Sequence, residues 1–141
     1  CQNVGVPLAV GVVEGLAVIP YNPLAGGLLT GKHTRGAPPA HGSRFTLGTA
    51  ATTYVQRYWK DHEFETVDAV VTLAKDHGLD PATLAVAWVL AHPAVTAPLV
   101  GASKPEQLQA SIAAVDLTLA PTVKARLDEL THDYRMGDAA R

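Results

Sequence analysis

Apolar residues along the chain form two kinds of pattern, continuous runs and helical stripes. The continuous runs are residues 8–13 (LAVGVV), 16–21 (LAVIPY) and 95–100 (VTAPLV). Runs of this kind are typical of parallel strands that are buried on both faces, because their side chains need not alternate in polarity. Pro98 weakens the third prediction, since proline has no N–H to give to a sheet ladder.

Four later stretches repeat apolar residues at every third or fourth position, which predicts helices with one buried face. They are residues 65–77, 81–91, 103–115 and 121–130. Gly78 follows the first as a left-handed C-terminal cap, and Asp80 precedes the second as an N-cap. Ile112 and Val115 belong to the inward stripe of the third. Ala120 offers the fourth no cap, so we expect its start to fray.

Residues 22–53 are rich in Gly, Pro, Ser and Thr and predict a long loop, with a short helical turn near residues 27–32. A loop of this length is uncommon in a compact domain unless it is functional or disordered. It is therefore the first place to look for a binding site.

The order strand, loop, helix, helix, strand, helix, helix favours parallel βα units in an α/β protein. Two or three strands are too few to close a barrel, and an open parallel sheet needs helices on both faces. We therefore expect a piece of a larger α/β fold.

Composition narrows the class of protein. The 141 residues, 48% hydrophobic and 17% charged, suit one globular domain. A formal net charge of −2 gives no reason to expect nucleic acid or an acidic membrane surface as a partner. Cys1 is the only cysteine, so we expect no internal disulfide and a reducing, cytoplasmic location. The histidines are scattered without metal-ligand spacing, which predicts no metal site.

The apolar stretch at residues 4–13 is consistent with a globular protein that does not cross a membrane. It is interrupted by Gly5, Pro7 and Gly11 and is shorter than the roughly 20 residues that span a bilayer. It also lacks the basic leader of a signal peptide. We interpret it as a buried strand or as an atypical start to the chain, and expect no membrane partner.

A glycine-rich motif at residues 26–32 (GGLLTGK) has the spacing of a phosphate-binding P-loop. That motif needs a Ser or Thr hydroxyl at the next position to hold magnesium, and His33 stands there. His33 therefore makes a nucleoside triphosphatase an unfavoured interpretation of this motif. A glycine-rich loop can still bring its backbone amides close to a ligand.

Residues 101–107 (GASKPEQ) follow a predicted strand and enter a predicted helix. A helix N-terminus offers free N–H groups and a positive dipole end, which together bind phosphate. Ser103 adds a hydroxyl, Lys104 a positive charge, and Gln107 an amide for an adenine edge or a ribose. The alternative is a capped helix in which Ser103 serves only as N-cap.

Tyr21 and Asn22 come at the end of the run at residues 16–21. Ligands of parallel α/β folds bind at the carboxyl ends of strands, so the Tyr21 ring could stack on a heteroaromatic group. The alternative is an aromatic side chain that fills the core. Arg44, in the long loop, is either a clamp on a phosphate or a surface arginine.

Four ordered motifs resemble the aldo-keto reductases, and most of all their bacterial, potassium-channel β-subunit-like branch. They are residues 18–32 (VIPYNPLAGGLLTGK), 42–45 (GSRF), 84–103 (LAVAWVLAHPAVTAPLVGAS) and 106–108 (EQL). The resemblance implies a (β/α)8 TIM barrel, of which the chain supplies the C-terminal βα units and the closing helices. It also implies reduction of a small carbonyl substrate to an alcohol with NADP(H).

The resemblance assigns ten residues to the cofactor. Tyr21 stacks on the nicotinamide, and Arg44 lies in the loop that folds over the cofactor. The residues along the pyrophosphate are Asn22, Leu24, Gly26 and Lys32. The residues around the adenosine 2′-phosphate and the adenine are Gly101, Ser103, Lys104 and Gln107.

Two departures limit what the resemblance implies. Ala110 and Ser111 stand where the family usually has Glu-Asn, which removes one amide contact to adenine. The catalytic Asp, Tyr, Lys and His belong to the first half of the family barrel, so we expect no catalytic residue here and no unaided activity. The alternative is a non-catalytic nucleotide-binding or structural half-barrel that pairs with itself or with an N-terminal half.

Overall fold

The computed structural model describes residues 13–134, which form five α-helices joined by loops and two short 3-10 turns. The helices are α1 (Ala51–Tyr58), α2 (Asp61–Asp76), α3 (Pro81–Leu90), α4 (Glu106–Ala113) and α5 (Pro121–Leu130). The 3-10 turns are Ala25–Thr30 and His132–Tyr134. The strand predicted at residues 8–13 lies outside the described residues except for its last residue.

The two other predicted strands, residues 16–21 and 95–100, were wrong as ladder-forming strands. They lie side by side in parallel, but the only bridge between them in the part of the chain described is Tyr21 with Leu99. The Leu99 N–H donates to the Pro20 carbonyl at 2.8 Å, and the Thr96 N–H donates to the Val18 carbonyl at 2.9 Å. Pro20 lacks the N–H that would make the next ladder bond in the direction of Val18, so a regular ladder cannot extend that way.

The register of this pair also shifts between the two hydrogen bonds. Val18 and Pro20 are two residues apart, whereas their partners Thr96 and Leu99 are three apart. The second segment therefore carries one extra residue, as in a β-bulge. The Thr96 side chain compensates in part, because its Oγ1 accepts the Val18 N–H at 3.1 Å.

One face of this pair is exposed, which contradicts the expectation of burial on both faces. Ile19, Tyr21 and Leu99 are 59%, 66% and 62% exposed. Ile19 and Tyr21 are two residues apart and so share a face, and the bridge places Leu99 beside Tyr21 on it. We call these three residues the open face. The opposite side packs on the helices through Val100, which contacts the buried Val86 cluster.

The helices were predicted with different success. α3 starts as predicted, because Asp80 Oδ1 accepts the N–H groups of Ala82 at 2.8 Å and Thr83 at 3.3 Å. The start of α5 has no side-chain cap at Ala120, also as predicted. Helix α2 begins at Asp61 rather than at residue 65. Helix α1 was not predicted. It begins at Ala51, so the long loop ends at residue 50 rather than at residue 53.

The predicted third helix required the largest correction. Helix α4 begins at Glu106 after Pro105, so Ser103 is not its N-cap. Ile112 and Val115 are exposed, and Ser111 and Ala114 are buried in their place. The cause is close packing on α3, where the Thr83 hydroxyl donates to the Ala110 carbonyl at 2.8 Å and leaves room only for small side chains.

Three buried clusters hold the helices together. The first is aromatic, with Phe45, Tyr58 and Phe64 at its centre. The second joins α2, α3 and α5, and the third joins α3 to α4. Helix α3 lies between the others and buries seven of its ten residues, which explains why nearly all its side chains are apolar or small.

Candidate functional site

Two of the predicted contact groups lie at the same end of the molecule. The parallel bridge between Tyr21 and Leu99 means that both segments run in one direction, so Asn22 and Gly101 leave the pair at the same edge. The two groups are also joined beneath this edge, because Leu24 and Val100 pack on one buried cluster around Val86. Both groups thus follow the paired segments at the edge where the carboxyl ends of parallel strands meet.

Asn22 organises the turn that follows the bridge. Its backbone is left-handed, with φ of 60°, which asparagine tolerates better than most residues. Its side-chain Oδ1 accepts the Gly26 N–H at 2.8 Å. Its Nδ2 donates to the Tyr58 hydroxyl oxygen at 2.9 Å. Both ends of the amide are therefore already engaged within the chain.

Tyr58 was missed by the sequence analysis. It is the last residue of α1 and lies in the aromatic cluster, 9% exposed. Burial raises the pKa of Tyr58, so its hydroxyl stays protonated at neutral pH. The sequence offers only one hint of it, the spacing of Tyr54 and Tyr58 by one helical turn.

The glycine-rich turn approaches two different side chains. Gly26 and Gly27 both have positive φ, 71° and 96°. A Cβ on Gly26 would lie 2.7 Å from Cδ1 of Tyr54, and one on Gly27 would lie 3.2 Å from Nζ of Lys32. The Lys32 amine therefore lies beside the backbone of the turn.

Arg44 is exposed and lies over the ring of Tyr54, with Cζ 5.6 Å from the ring centre. This is a cation–π geometry, which holds the guanidinium near the glycine-rich turn while its donors remain open to solvent. The contact connects the long loop to the same edge as Asn22.

The second group begins at Gly101 and ends in the first turn of α4. Gly101 is exposed, and a Cβ placed on it would meet nothing within 4 Å. The N–H and Oγ of Ser103 both donate to Oε1 of Gln107, at 3.0 and 3.1 Å. The Gln107 amide nitrogen is left to donate elsewhere, and Lys104 beside it is exposed. Ser111 is buried and does not reach this surface.

Between residues 13 and 134, no three His, Cys, Asp or Glu side chains lie close enough together to hold a metal ion. Within the same range, no helix has the length and apolar character needed to cross a membrane.

Comparison with known proteins gives consistent matches. The model of the aldo/keto reductase family matches residues 8–132. Protein tas of Escherichia coli is 38% identical over 121 residues, which cover 86% of this chain and 34% of that protein. A Schizosaccharomyces pombe protein named for a voltage-gated potassium channel beta subunit is 33% identical over 121 residues, covering 84% and 35%. The chain thus spans about a third of the length of these curated relatives.

Among solved structures, the chain is similar to a glycerol dehydrogenase from Gluconobacter oxydans. The TM-score is 0.69 at 23% identity, over 94% of this chain and 39% of that one. This likeness supports an α/β-barrel fold, to which the described residues contribute helices and a single parallel pairing.

Proposed function

The chain belongs to the aldo/keto reductase family, and on that premise we propose that it is the cofactor-binding, C-terminal portion of a barrel that reduces carbonyls with NADP(H). The family accounts for the general activity, an oxidoreductase acting on carbonyl compounds. The assignment of NADP(H), of the C-terminal βα units and of a cytoplasmic location forms part of the proposal.

The observation that carries the proposal is the parallel pairing of Tyr21 with Leu99. It brings the exposed Tyr21 ring and the segment from Gly101 to one edge, where a long ligand could contact both. A nicotinamide dinucleotide is such a ligand, with an aromatic ring at one end and an adenosine at the other.

The polar groups at this edge suit the anionic parts of NADP(H). Lys32, Arg44 and Lys104 are exposed cations, and the helix start at Glu106 adds backbone N–H groups. Gly101 leaves open space for a phosphate to approach the backbone. The Asn22 amide fits less simply, since its oxygen is engaged by Gly26 and only one N–H remains for a ligand.

In this proposal the chain binds and orients the cofactor. Tyr21 would hold the nicotinamide, and the turn from Asn22 to Lys32 would hold the pyrophosphate. Ser103 and Lys104 would neutralise the 2′-phosphate. NADPH, when bound, supplies the hydride that reduces the carbonyl carbon. The resemblance gives the chain no catalytic acid, so we propose that it does not turn over an aldehyde unaided.

Equilibrium titration of the chain with NADPH and NADH, followed by the fluorescence of the reduced nicotinamide, tests the proposal. We expect tighter binding of NADPH, and a loss of about tenfold in Lys104→Ala, as for one charge-assisted hydrogen bond. NADH binding should not change. Lys75→Ala removes an equivalent exposed charge from α2 and serves as control. Equal affinities for both cofactors, unaltered in Lys104→Ala, would contradict the proposal.

A separate assay tests the absence of unaided catalysis. The chain mixed with NADPH and a reactive aldehyde should give no oxidation of the cofactor. Oxidation that persists after Tyr21→Ala would show a catalytic group that the proposal does not contain.

The open face supports a second candidate, a structural or nucleotide-binding half-barrel that pairs with itself or with an N-terminal half. Ile19, Tyr21 and Leu99 form an apolar surface that a partner could cover. Sedimentation equilibrium distinguishes the candidates. A dimer that Ile19→Glu dissociates favours self-association, and a monomer at all concentrations counts against it.

A further inference from the structure

The hydroxyl of Tyr58 joins the buried aromatic cluster to the candidate pyrophosphate turn. Tyr58 ends helix α1 and is almost completely buried, while its hydroxyl oxygen accepts Nδ2 of Asn22 at 2.9 Å. The two residues are 36 positions apart in the chain. The bond therefore ties a helix of the aromatic cluster to the edge that carries Tyr21 and Asn22.

The other end of the Asn22 amide determines the shape of the turn. Its Oδ1 accepts the N–H of Gly26, and its backbone carbonyl accepts the N–H of Ala25 at 3.1 Å. Asn22, Ala25, Gly26 and Gly27 all have positive φ. Glycine adopts positive φ freely, whereas Ala25 is strained in this conformation, so the shape of the turn depends in part on these hydrogen bonds.

A free asparagine amide would rotate about its terminal torsion, which is broad and weakly restricted. The bond to Tyr58 removes that freedom and leaves Oδ1 directed at Gly26. It also determines which amide hydrogen of Asn22 remains for a ligand, since the other is used by Tyr58. Burial raises the pKa of Tyr58, so this arrangement persists through neutral pH.

We propose that Tyr58 is a positioning residue of the nucleotide site, which acts through Asn22 to hold the turn from Asn22 to Gly27 in its ligand-binding shape. The inference rests on the proposed function and deepens it. Helix α1, which contributes no ligand contact of its own in the proposal, then controls affinity for the pyrophosphate part of the cofactor.

The test compares Tyr58→Phe with Tyr134→Phe in the full chain. The control also deletes a tyrosine hydroxyl from a short hydrogen bond, here 2.8 Å to the Thr66 hydroxyl, but away from the site. Each variant is titrated with NADPH and with 2′,5′-ADP, which has the adenosine end and lacks the nicotinamide half. Tyr58→Phe should weaken NADPH about fivefold and leave 2′,5′-ADP unchanged, whereas Tyr134→Phe should affect neither.

The split between the two ligands separates positioning from general destabilisation, which would weaken both. Asn22→Gly adds a second comparison, because glycine keeps the left-handed backbone and removes the amide. If Tyr58 acts through Asn22, the variant that combines Tyr58→Phe with Asn22→Gly binds NADPH no more weakly than Asn22→Gly alone. Hydrogen exchange of the Gly26 amide should also accelerate in Tyr58→Phe and stay unchanged in Tyr134→Phe.

The outcomes separate the two claims. If the unaltered chain binds neither ligand, the proposed function and this inference both fall. If it binds NADPH and Tyr58→Phe binds equally well, only the inference is overturned. Additive losses in the double variant, or equal losses for NADPH and 2′,5′-ADP, overturn it as well.

Discussion

A Cβ atom on Gly26 would lie 2.7 Å from Cδ1 of Tyr54, closer than two carbon atoms can approach without movement. The ring of Tyr54 also packs edge-on against Phe45, with centres 6.2 Å apart, so it has little room to move away. Gly26 has φ of 71° as well. Glycine is thus required there by backbone conformation and by space, independently of any ligand.

Gly26→Ala should lower the free energy of unfolding by about 2–5 kcal/mol, the sum of a left-handed alanine and an overpacked contact. Gly36→Ala is the matched control, because Gly36 has φ of 78° and open space around it. It should cost only the conformational part, about 1–2 kcal/mol. Urea unfolding measures both, and equal losses would show that the Tyr54 contact contributes nothing.

Asp80→Ala should destabilise the chain by about 1 kcal/mol, because it removes the oxygen that accepts two N–H groups at the start of α3. Helix α3 packs on α2, α4 and the 3-10 turn at Ala25–Thr30. Weakening its start therefore lowers the stability of the whole chain. Asp116→Ala, an exposed acid in a loop, serves as control in the same denaturation experiment. A change of similar size in both variants would mean that the cap is not the cause.

Ala120→Asp should have the opposite sign. Helix α5 has no side-chain cap, and Ala120 already has the extended ψ of 140° that an N-cap residue adopts. A carboxylate there can accept a first-turn N–H and meets the positive end of the helix dipole, a gain of about 0.5–1 kcal/mol. Ala125→Asp, in the exposed middle of the same helix, should lose stability instead. A gain in both variants would indicate a general charge effect.

His33 should make stability depend on pH. Its ring lies against Phe45 and Trp59, with ring centres 5.2 and 5.1 Å away, and Nε2 is buried without a partner among the described residues. Burial lowers the pKa of His33, and the charge of Lys32 lowers it further. As pH falls, His33 therefore becomes protonated at a higher pH in the unfolded chain than in the folded chain.

The sign follows from that order of protonation. The contribution of His33 to stability is complete above its unfolded pKa of about 6.5 and is lost as pH falls below that value. His33→Leu should flatten the decrease in unfolding free energy between pH 7.5 and pH 5.5 relative to the unaltered chain. His41→Leu, at an exposed position, should leave the slope as it was. An unchanged slope in His33→Leu would rule out this histidine as the sensor.

Sequence periodicity was enough for helices that bury a clear stripe or carry a cap. It located α3 and α5 within a residue, because Asp80, Pro81 and Pro121 mark their starts. It failed where a neighbouring element decided the outcome. The inward face of α4 is set by close contact with Thr83, which no pattern within α4 reveals.

In the candidate site, too, some features could be predicted from sequence patterns and others depended on a neighbouring element. Tyr21 and the segment from Gly101 could be expected at one edge, since Tyr21 ends one apolar run and Gly101 follows another. The long loop concealed α1, whose aromatic residues lie in a stretch preceded by Gly and Ser. The bond between Asn22 and Tyr58 therefore could not be predicted, because the helix that presents the tyrosine was itself unknown.

Pro98 affects how the paired segments meet other molecules. Successive residues of an extended segment direct their N–H groups to opposite sides, and the Leu99 N–H points to Pro20. The nitrogen of Pro98 therefore faces the outer edge of the pair, where it offers no donor. An edge interrupted in this way is a poor template for adding a strand from a second molecule. Pro98 therefore leaves the pairing with residues 16–21 intact and limits association of the molecule through the outer edge of residues 95–100.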